Sequence, residues 1–282
     1  MMAEILSGKL MSEQLTLEQA ERVKELRKQG IVPGLAVILA GENPASEIYV
    51  RNKKKMCDTI GIYSEVIKLP ADVAQDDLIA QIERLNADSK IHGILVQLPL
   101  PKHLDEAWVL SRILPEKDVD GFHIDNAGRL FTGLPGVIAC TPKGILYMLK
   151  KAGIPLVGKE AVVIGRSNIV GKPAAMLLLQ EHCTVTICHS RTKDLPSITR
   201  RADILVAAIG KPRFVTRDMV KPGAVVIDVG VNRVDGKVCG DVDFDAVSEV
   251  ASYITPVPGG VGKMTISMLM ENTLEAACRQ AR

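Results

Sequence analysis

Residues 161–182 read AVVIGRSNIVGKPAAMLLLQEH, and this stretch decides the fold. Small branched side chains typical of a buried strand lead into a turn between Gly165 and Gly171, and an apolar helical segment follows. A pyrophosphate can bind at such a turn, because backbone N–H groups at the start of the helix point towards it. The turn lacks the middle glycine of the common G-x-G-x-x-G pattern. By itself it therefore fits either a dinucleotide site or an ordinary tight turn.

The same alternation of strands and helices extends in both directions along the chain. Apolar runs of strand length occur at 34–41, 63–70, 92–100, 184–188, 203–210 and 224–230, with helical patterns at 44–60, 75–88, 142–153 and 264–281. Such near-continuous apolar runs are typical of parallel strands that are covered on both faces. The sequence therefore predicts two α/β domains, the C-terminal one a Rossmann-like parallel sheet, with an active-site cleft between them.

A change in composition separates the two predicted domains. The stretch from Pro115 to Cys140 is rich in Gly, Asp and Asn, and is predicted to be a loop that carries functional residues. We expect an N-terminal catalytic domain over 1–139, completed by a C-terminal helix at 264–282. A dinucleotide-binding domain should occupy 140–263.

Composition excludes several classes of protein. The 282 residues include 35 basic and 33 acidic side chains, a net charge of only +2, so we expect no nucleic-acid partner. The basic cluster at 51–55 is predicted to be a solvated helix face, with Lys53 as its exception. Six cysteines without a C-x-x-C pair indicate reduced thiols, a cytoplasmic location and no metal site. We expect no signal peptide and no membrane span, since no apolar run approaches ~18 residues.

The end of the second strand of the C-terminal domain indicates which dinucleotide binds. NAD enzymes usually have Asp or Glu there, which accepts hydrogen bonds from the ribose hydroxyls. Here TVTIC is followed by His189-Ser190-Arg191, which can donate to a 2′-phosphate, and Arg166 can reach the same place. These residues predict NADP, unless they are merely exposed polar side chains at a strand end. Gly210 and Val231 follow later strands and are placed to contact the cofactor.

Four polar residues of the N-terminal domain are candidates for the chemical site. Tyr49 and Lys53 are four apart in a helix that should begin after Asn43, so they share one helix face. Gln97 ends an apolar strand and needs a hydrogen-bond partner, and Asp120 lies in a turn-rich loop. The alternatives are an ordinary surface Tyr/Lys pair, a satisfied amide and simple turn chemistry. None of these residues identifies a reaction by itself.

Taken together, these segments resemble the bifunctional methylenetetrahydrofolate dehydrogenase/cyclohydrolase family. The resemblance covers nearly the whole chain in order, through GENPASEIYVRNKKK, HGILVQLPLP, KDVDGFH, CTPKGI, VVIGRSNIVGKP, TVTICHSRT, DILVAAIGKP, KPGAVVIDVGVNR and TPVPGGVG. The combination of Y-V-x-x-K, V-Q-L-P-L-P, K-D-V-D-G and P-G-G-V-G is highly specific. It favours functional roles for Tyr49, Lys53, Gln97 and Asp120 over the alternatives.

The resemblance implies a homodimer active in one-carbon metabolism. With NADP it would oxidise 5,10-methylenetetrahydrofolate to the methenyl form, and then hydrolyse that product to 10-formyltetrahydrofolate. Tyr49, Lys53, Gln97 and Asp120 would form the folate site, and Gly165, Arg166, Ser167, Ser190 and Val231 would contact NADP. Hydrolysis requires proton transfer, so we expect Lys53 to act as general acid/base, with its pKa lowered by burial or by the substrate cation, and Gln97 to orient it.

Two departures from the family pattern and two rival functions complete the predictions. Lys263 stands where family members commonly have a proline, so we expect a less rigid loop from Pro258 to Gly262. Val231 replaces a frequent isoleucine, a small change in volume. The rivals are another two-domain NADP dehydrogenase, for example of a hydroxy acid or an amino acid, and a binding protein without catalysis. The four-residue set argues against the first, and Lys53 against the second.

Overall fold

The computed structural model describes residues 2–281, with only the backbone described at residue 45. The strands are β1 (Glu4–Ile5), β2 (Gly34–Ala40), β3 (Tyr63–Leu69), β4 (Gly93–Val96), β5 (Glu160–Ile164), β6 (Thr184–Cys188), β7 (Ile204–Ala207), β8 (Val225–Asp228), β9 (Asn232–Val234), β10 (Lys237–Cys239) and β11 (Tyr253–Ile254). The α-helices are α1 (Gly8–Lys28), α2 (Pro44–Ile60), α3 (Gln75–Ala87), α4 (Glu106–Ser111), α5 (Ile124–Thr132), α6 (Cys140–Lys151), α7 (Gly171–Gln180), α8 (Leu195–Thr199), α9 (Phe244–Ser248) and α10 (Val261–Gln280).

The chain divides into two compact units. One contains the chain through Glu13 together with Thr141–Thr265, and the other contains Gln14–Cys140 together with the segment from Ile266 onward. The residues through Glu13, which we expected in the N-terminal catalytic domain, thus cluster with Thr141–Thr265. The physical reason is strand pairing, because β1 lies parallel to β11, with Glu4 opposite Tyr253 and Ile5 opposite Ile254.

The first unit is built on a six-stranded parallel sheet with the order β1-β11-β8-β7-β5-β6. Strands β5, β7 and β8 are almost entirely buried, which explains their unbroken apolar sequences. From β5 the chain proceeds to β6 on one side, and then to β7 and β8 on the other. Such a reversal of strand order creates a crevice outside the carboxyl end of β5. The predicted Rossmann-like parallel sheet is confirmed.

The second unit contains a three-stranded parallel sheet with the order β3-β2-β4. Helix α3 buries Leu78, Ile82 and Leu85 in the core beside this sheet. Strand β4 is shorter than the predicted segment 92–100 and ends at Val96. Gln97 comes directly after it and still donates its backbone N–H to the Ile38 carbonyl at 2.8 Å. The side chain of Gln97 is therefore held at the carboxyl end of the sheet.

The predicted loop over 115–140 contains a helix, α5, so that part of the prediction is wrong. The His123 ring accepts a hydrogen bond from the Asp125 N–H at the start of α5, and Gly133 ends it with a φ of 73°. Periodicity did not reveal α5, because Ile124 and Phe131 are exposed and little of the helix is buried. Among the helices within residues 2–281, none has the length and apolar character needed to cross a membrane.

Candidate active site and dinucleotide site

Helix α2 places Lys53 on its buried face. The helix begins where Asn43 Oδ1 accepts the Ser46 N–H at 3.2 Å, as expected for an N-terminal cap, and it ends at Ile60, just before Gly61 with a φ of +88°. Lys53 is only 8% exposed, whereas Tyr49, one turn earlier, is 46% exposed. A lysine is rarely buried to this degree without a partner. Its buried ammonium therefore sets Lys53 apart from the neighbouring lysines of the helix.

Gln97 is the partner of this lysine. Lys53 Nζ donates to Gln97 Oε1 at 3.0 Å, and Gln97 Nε2 donates to the Leu98 carbonyl at 2.7 Å. A backbone carbonyl only accepts hydrogen bonds, so the second bond determines which end of the amide faces the lysine. Gln97 therefore presents an acceptor to Lys53 in either protonation state of the amine. The predicted hydrogen bond between the two side chains is present.

The K-D-V-D-G motif carries Asp120 on a loop that its neighbours hold in place. Lys117 Nζ donates to the carbonyl oxygens of Leu85, Asn86 and Asp88 at 2.9–3.1 Å, and so caps the end of α3. Lys117 is thus a structural residue, although it lies close in sequence to the proposed site.

Asp118 organises the other side of the same loop. Its carboxylate accepts the N–H groups of Gly121 and His123, at 3.2 and 2.8 Å, and the Asn126 side-chain amide at 2.9 Å. Gly121 has a φ of +78°, and a Cβ atom there would collide with the backbone of Ala139. Asp118 is buried and already has these donors, which leaves Asp120 as the half-buried carboxylate of the motif.

Burial moves both Lys53 and Asp120 towards their neutral forms. It lowers the pKa of Lys53, and the Asp120 carboxylate opposes that change in part. It also raises the pKa of Asp120, with the Lys53 ammonium acting in the opposite direction. Removing the proton from Lys53 therefore costs less free energy than removing it from an exposed lysine.

Sequence reasoning missed the residues that support this loop from behind. Asn272 of α10 is buried, and its Nδ2 donates to the Val119 and Ile138 carbonyl oxygens at 2.8 and 2.9 Å. The Cys140 thiol donates to the same Val119 oxygen at 3.3 Å. The available signal was an asparagine within the apolar pattern of the last helix, since a buried amide requires partners.

The turn between β5 and α7 has no room for side chains at its two glycines. Gly165 has a φ of +127°, and a Cβ atom there would collide with the Ala208 carbonyl oxygen. A Cβ atom at Gly171 would collide with the Gly165 carbonyl oxygen. Ser167 Oγ accepts the N–H groups of Val170 and Gly171, both at 3.2 Å, and thereby shapes the start of α7. This glycine-lined approach to a helix N-terminus fits a pyrophosphate.

The end of β6 offers donors and no carboxylate over residues 189–192. His189 Nδ1 accepts the Arg191 N–H at 3.1 Å, and the backbone N–H of His189 donates to Thr192 Oγ1 at 2.8 Å. Ser190 and Arg191 remain exposed, as does Arg166 in the preceding turn. A hydroxyl group and guanidinium groups suit a phosphate. Because His189 Nδ1 is occupied by the Arg191 N–H, His189 also shapes the turn.

Gly210 and Val231 follow β7 and β8, at the same edge of the sheet as Gly165. Gly210 is exposed with a φ of +65°, and Val231 is 57% exposed although its side chain is apolar. Lys263 is also exposed, and its backbone N–H donates to the Gly260 carbonyl at 3.1 Å. The proline that family members commonly have at this position has no N–H and could not make this bond. Within residues 2–281, no group of three or more His, Cys, Asp or Glu side chains is arranged to hold a metal ion.

Comparison with known proteins identifies the family. The model of the tetrahydrofolate dehydrogenase/cyclohydrolase catalytic domain matches residues 6–120, and the model of its NAD(P)-binding domain matches residues 139–281. The bifunctional protein FolD of Polaromonas naphthalenivorans is 59% identical over 280 residues, which cover 99% of this chain and 100% of that protein.

Solved structures show the same relationship. The bifunctional FolD dehydrogenase/cyclohydrolase of Campylobacter jejuni superimposes with a TM-score of 0.97 at 50% identity, covering 98% of this chain and 99% of that one. The Trypanosoma brucei enzyme, solved with NADP and an inhibitor, gives a TM-score of 0.95 at 40% identity, covering 100% and 99% of the two chains. The predicted family is confirmed. This chain belongs to the tetrahydrofolate dehydrogenase/cyclohydrolase family and carries both its catalytic and its NAD(P)-binding domain.

Proposed function

We propose that this chain uses NADP to oxidise 5,10-methylenetetrahydrofolate to 5,10-methenyltetrahydrofolate, and then hydrolyses the product to 10-formyltetrahydrofolate. The observation that carries the proposal is the buried Lys53 ammonium, held by Gln97 at 3.0 Å. A binding protein would gain nothing from burying an amine whose charge is costly to desolvate, whereas a proton-transfer group needs its pKa lowered in this way.

Oxidation requires positioning more than acid or base strength. Loss of hydride from the bridging carbon leaves a cation shared by the two flanking nitrogens, so no strong base is needed. Asp120 is the residue to accept hydrogen bonds from the amino and ring N–H groups of the pterin, and Tyr49 packs along the substrate. When bound, NADP supplies the hydride acceptor.

Hydrolysis is the step that requires Lys53. A water molecule attacks the methenyl carbon, and as the new C–O bond forms, the neutral amine of Lys53 accepts a proton from the water. The resulting ammonium returns a proton to the departing ring nitrogen as the C–N bond breaks and the C=O bond of the formyl group forms, and the remaining hydroxyl proton is released to solvent. Gln97 accepts a hydrogen bond from the amine throughout and keeps it aimed at the reacting carbon. Such proton transfer contributes typically about 10²–10⁴-fold in rate.

NADP is preferred because the residues at the end of β6 match a phosphate. Gly165, Ser167 and Gly171 would hold the pyrophosphate at the start of α7. Ser190, Arg191 and Arg166 would hold the 2′-phosphate. Gly210 and Val231 would contact the nicotinamide half.

Introducing a carboxylate at residue 190 should lower the preference for NADP. We expect Ser190→Asp to reduce kcat/KM for NADP at least about tenfold, because a carboxylate repels the 2′-phosphate at short range. The control is Ser190→Asn, which has the same shape without the charge and should lose less. Steady-state kinetics with NADP and NAD would check this, and an unchanged NADP:NAD ratio in the Asp variant would remove Ser190 from the phosphate site.

The function itself is tested by following two absorbance signals at once. The purified chain is mixed with 5,10-methylenetetrahydrofolate and NADP, and the formation of NADPH and of the methenyl product is recorded. We expect NADPH to appear, and added methenyltetrahydrofolate to decay faster than in buffer. Binding without turnover would favour the non-catalytic rival, and turnover of a hydroxy acid or an amino acid instead would favour the other dehydrogenase.

We also propose that the chain acts as a homodimer in the cytoplasm. The support for a dimer is the family to which the chain belongs. The support for the compartment is that all six cysteines are free thiols, four of them buried, as is usual for proteins in reducing surroundings.

A further inference from the structure

Asp241 is a buried carboxylate that the proposed chemistry does not use. Its Oδ2 accepts the N–H groups of Ile209 and Gly210 at 2.7 and 3.0 Å. Its Oδ1 accepts the Lys211 N–H at 2.8 Å and the Asn232 side-chain amide at 2.9 Å. Asp241 is fully buried, and its four donors come from the segments that follow β7 and β8. One carboxylate thus ties both segments together.

Asp228, at the end of β8, holds Asp241 in turn. Its Oδ1 accepts the N–H groups of Gly230 and Asp241 at 3.0 and 2.9 Å, and its Oδ2 accepts the Val242 N–H at 3.0 Å. Burial raises the pKa of Asp228 to about 6, although these N–H groups act to lower it. The ionised form is the one that matches the donors, since a carboxylate only accepts hydrogen bonds.

Glycines close the space around both carboxylates. A Cβ atom at Gly230 would collide with the Asp241 carboxylate, and one at Gly240 would collide with the Asp228 carboxylate. The two side chains therefore fit closely against backbone, and a longer acid could not replace either of them. The arrangement requires short acceptor-only side chains at both positions.

We infer that Asp228 and Asp241 form an aspartate brace that positions the nicotinamide half of the bound dinucleotide. They are positioning residues, because both are buried and act through the backbone of Gly210 and of the segment that carries Val231. The turn after β5 and the end of β6 are assigned to the pyrophosphate and the 2′-phosphate, so the segments after β7 and β8 remain for the nicotinamide. This inference rests on the proposed use of NADP.

The test compares a whole cofactor with half of it. Isothermal titration calorimetry would measure binding of NADP and of 2′,5′-ADP, which lacks the nicotinamide half, to the full chain and to Asp241→Asn. The asparagine turns an NH₂ group towards two N–H donors and releases one side of the brace. We expect affinity for NADP to fall at least about tenfold, while affinity for 2′,5′-ADP stays within about twofold.

A milder variant covers the case in which Asp241→Asn does not fold. Asn232→Ala removes a single donor at 2.9 Å from a half-buried side chain, and should weaken NADP several-fold without affecting 2′,5′-ADP. Equal losses for the two probes, or unchanged NADP affinity in the folded variants, would overturn the aspartate brace. If the unmodified chain binds neither probe, the proposed cofactor fails instead.

Discussion

Replacing Lys53 by methionine will abolish the hydrolysis of methenyltetrahydrofolate while part of the dehydrogenase activity remains. Methionine retains the length and apolar contacts of the buried side chain, but it can neither accept nor return a proton. We expect the cyclohydrolase rate to fall by about 10²–10⁴-fold, the usual contribution of a positioned acid/base. Oxidation is spared in part because loss of hydride needs no proton transfer. Separate assays of the two steps would measure the difference.

The matched control is Lys55→Met on the same helix. Lys55 is exposed, so its replacement removes one charge from α2 without touching the buried amine. Both activities of this control should stay close to those of the unmodified chain. A Lys53→Met variant with full cyclohydrolase activity would remove Lys53 from the mechanism.

The second large effect is expected for Asp120→Ala, which should damage both activities together. Without the Asp120 carboxylate, the N–H donors of the pterin lose their acceptor. Loss of two hydrogen bonds to a charged group corresponds to a fall of about 10²-fold or more in kcat/KM. The pH dependence should change as well. The Asp120 charge raises the pKa of Lys53, so any residual hydrolysis in the variant should depend on a Lys53 pKa that is lower still.

Asp125→Ala is the control for Asp120→Ala. Asp125 is an exposed carboxylate in the first turn of α5, outside the K-D-V-D-G loop. Its loss should leave KM for the folate substrate nearly unchanged. If Asp120→Ala impaired hydrolysis and left oxidation intact, Asp120 would have to be assigned to proton transfer rather than to substrate binding.

The alternation of strands and helices was predictable from sequence because its physical cause is local. Parallel strands buried on both faces require unbroken apolar runs, and these runs identified the long strands of both sheets. The caps of α2 could be predicted for the same reason, since Asn43 and Gly61 act within one turn of the helix. The family resemblance then selected Tyr49, Lys53, Gln97 and Asp120 from among ordinary polar residues.

Contacts between distant residues could not be predicted in this way. Strand β1 has two residues and exists only because β11, about 250 residues later, pairs with it. The hydrogen bond from Asn272 to the Val119 carbonyl joins residues that are 153 positions apart in sequence. Asp241 could not be singled out from the sequence, because nothing local shows that its four donors lie in segments after β7 and β8.

The central claim is that the Lys53 amine is buried and loses its proton more readily than an ordinary lysine. An NMR titration of the chain with ¹³C-labelled lysines tests it most directly, with the Lys53 signal identified by its absence from the Lys53→Met spectrum. We predict a midpoint below the ordinary lysine pKa of 10.5, because burial disfavours the ammonium form. A midpoint at or above 10.5 would contradict the proposed role of Lys53.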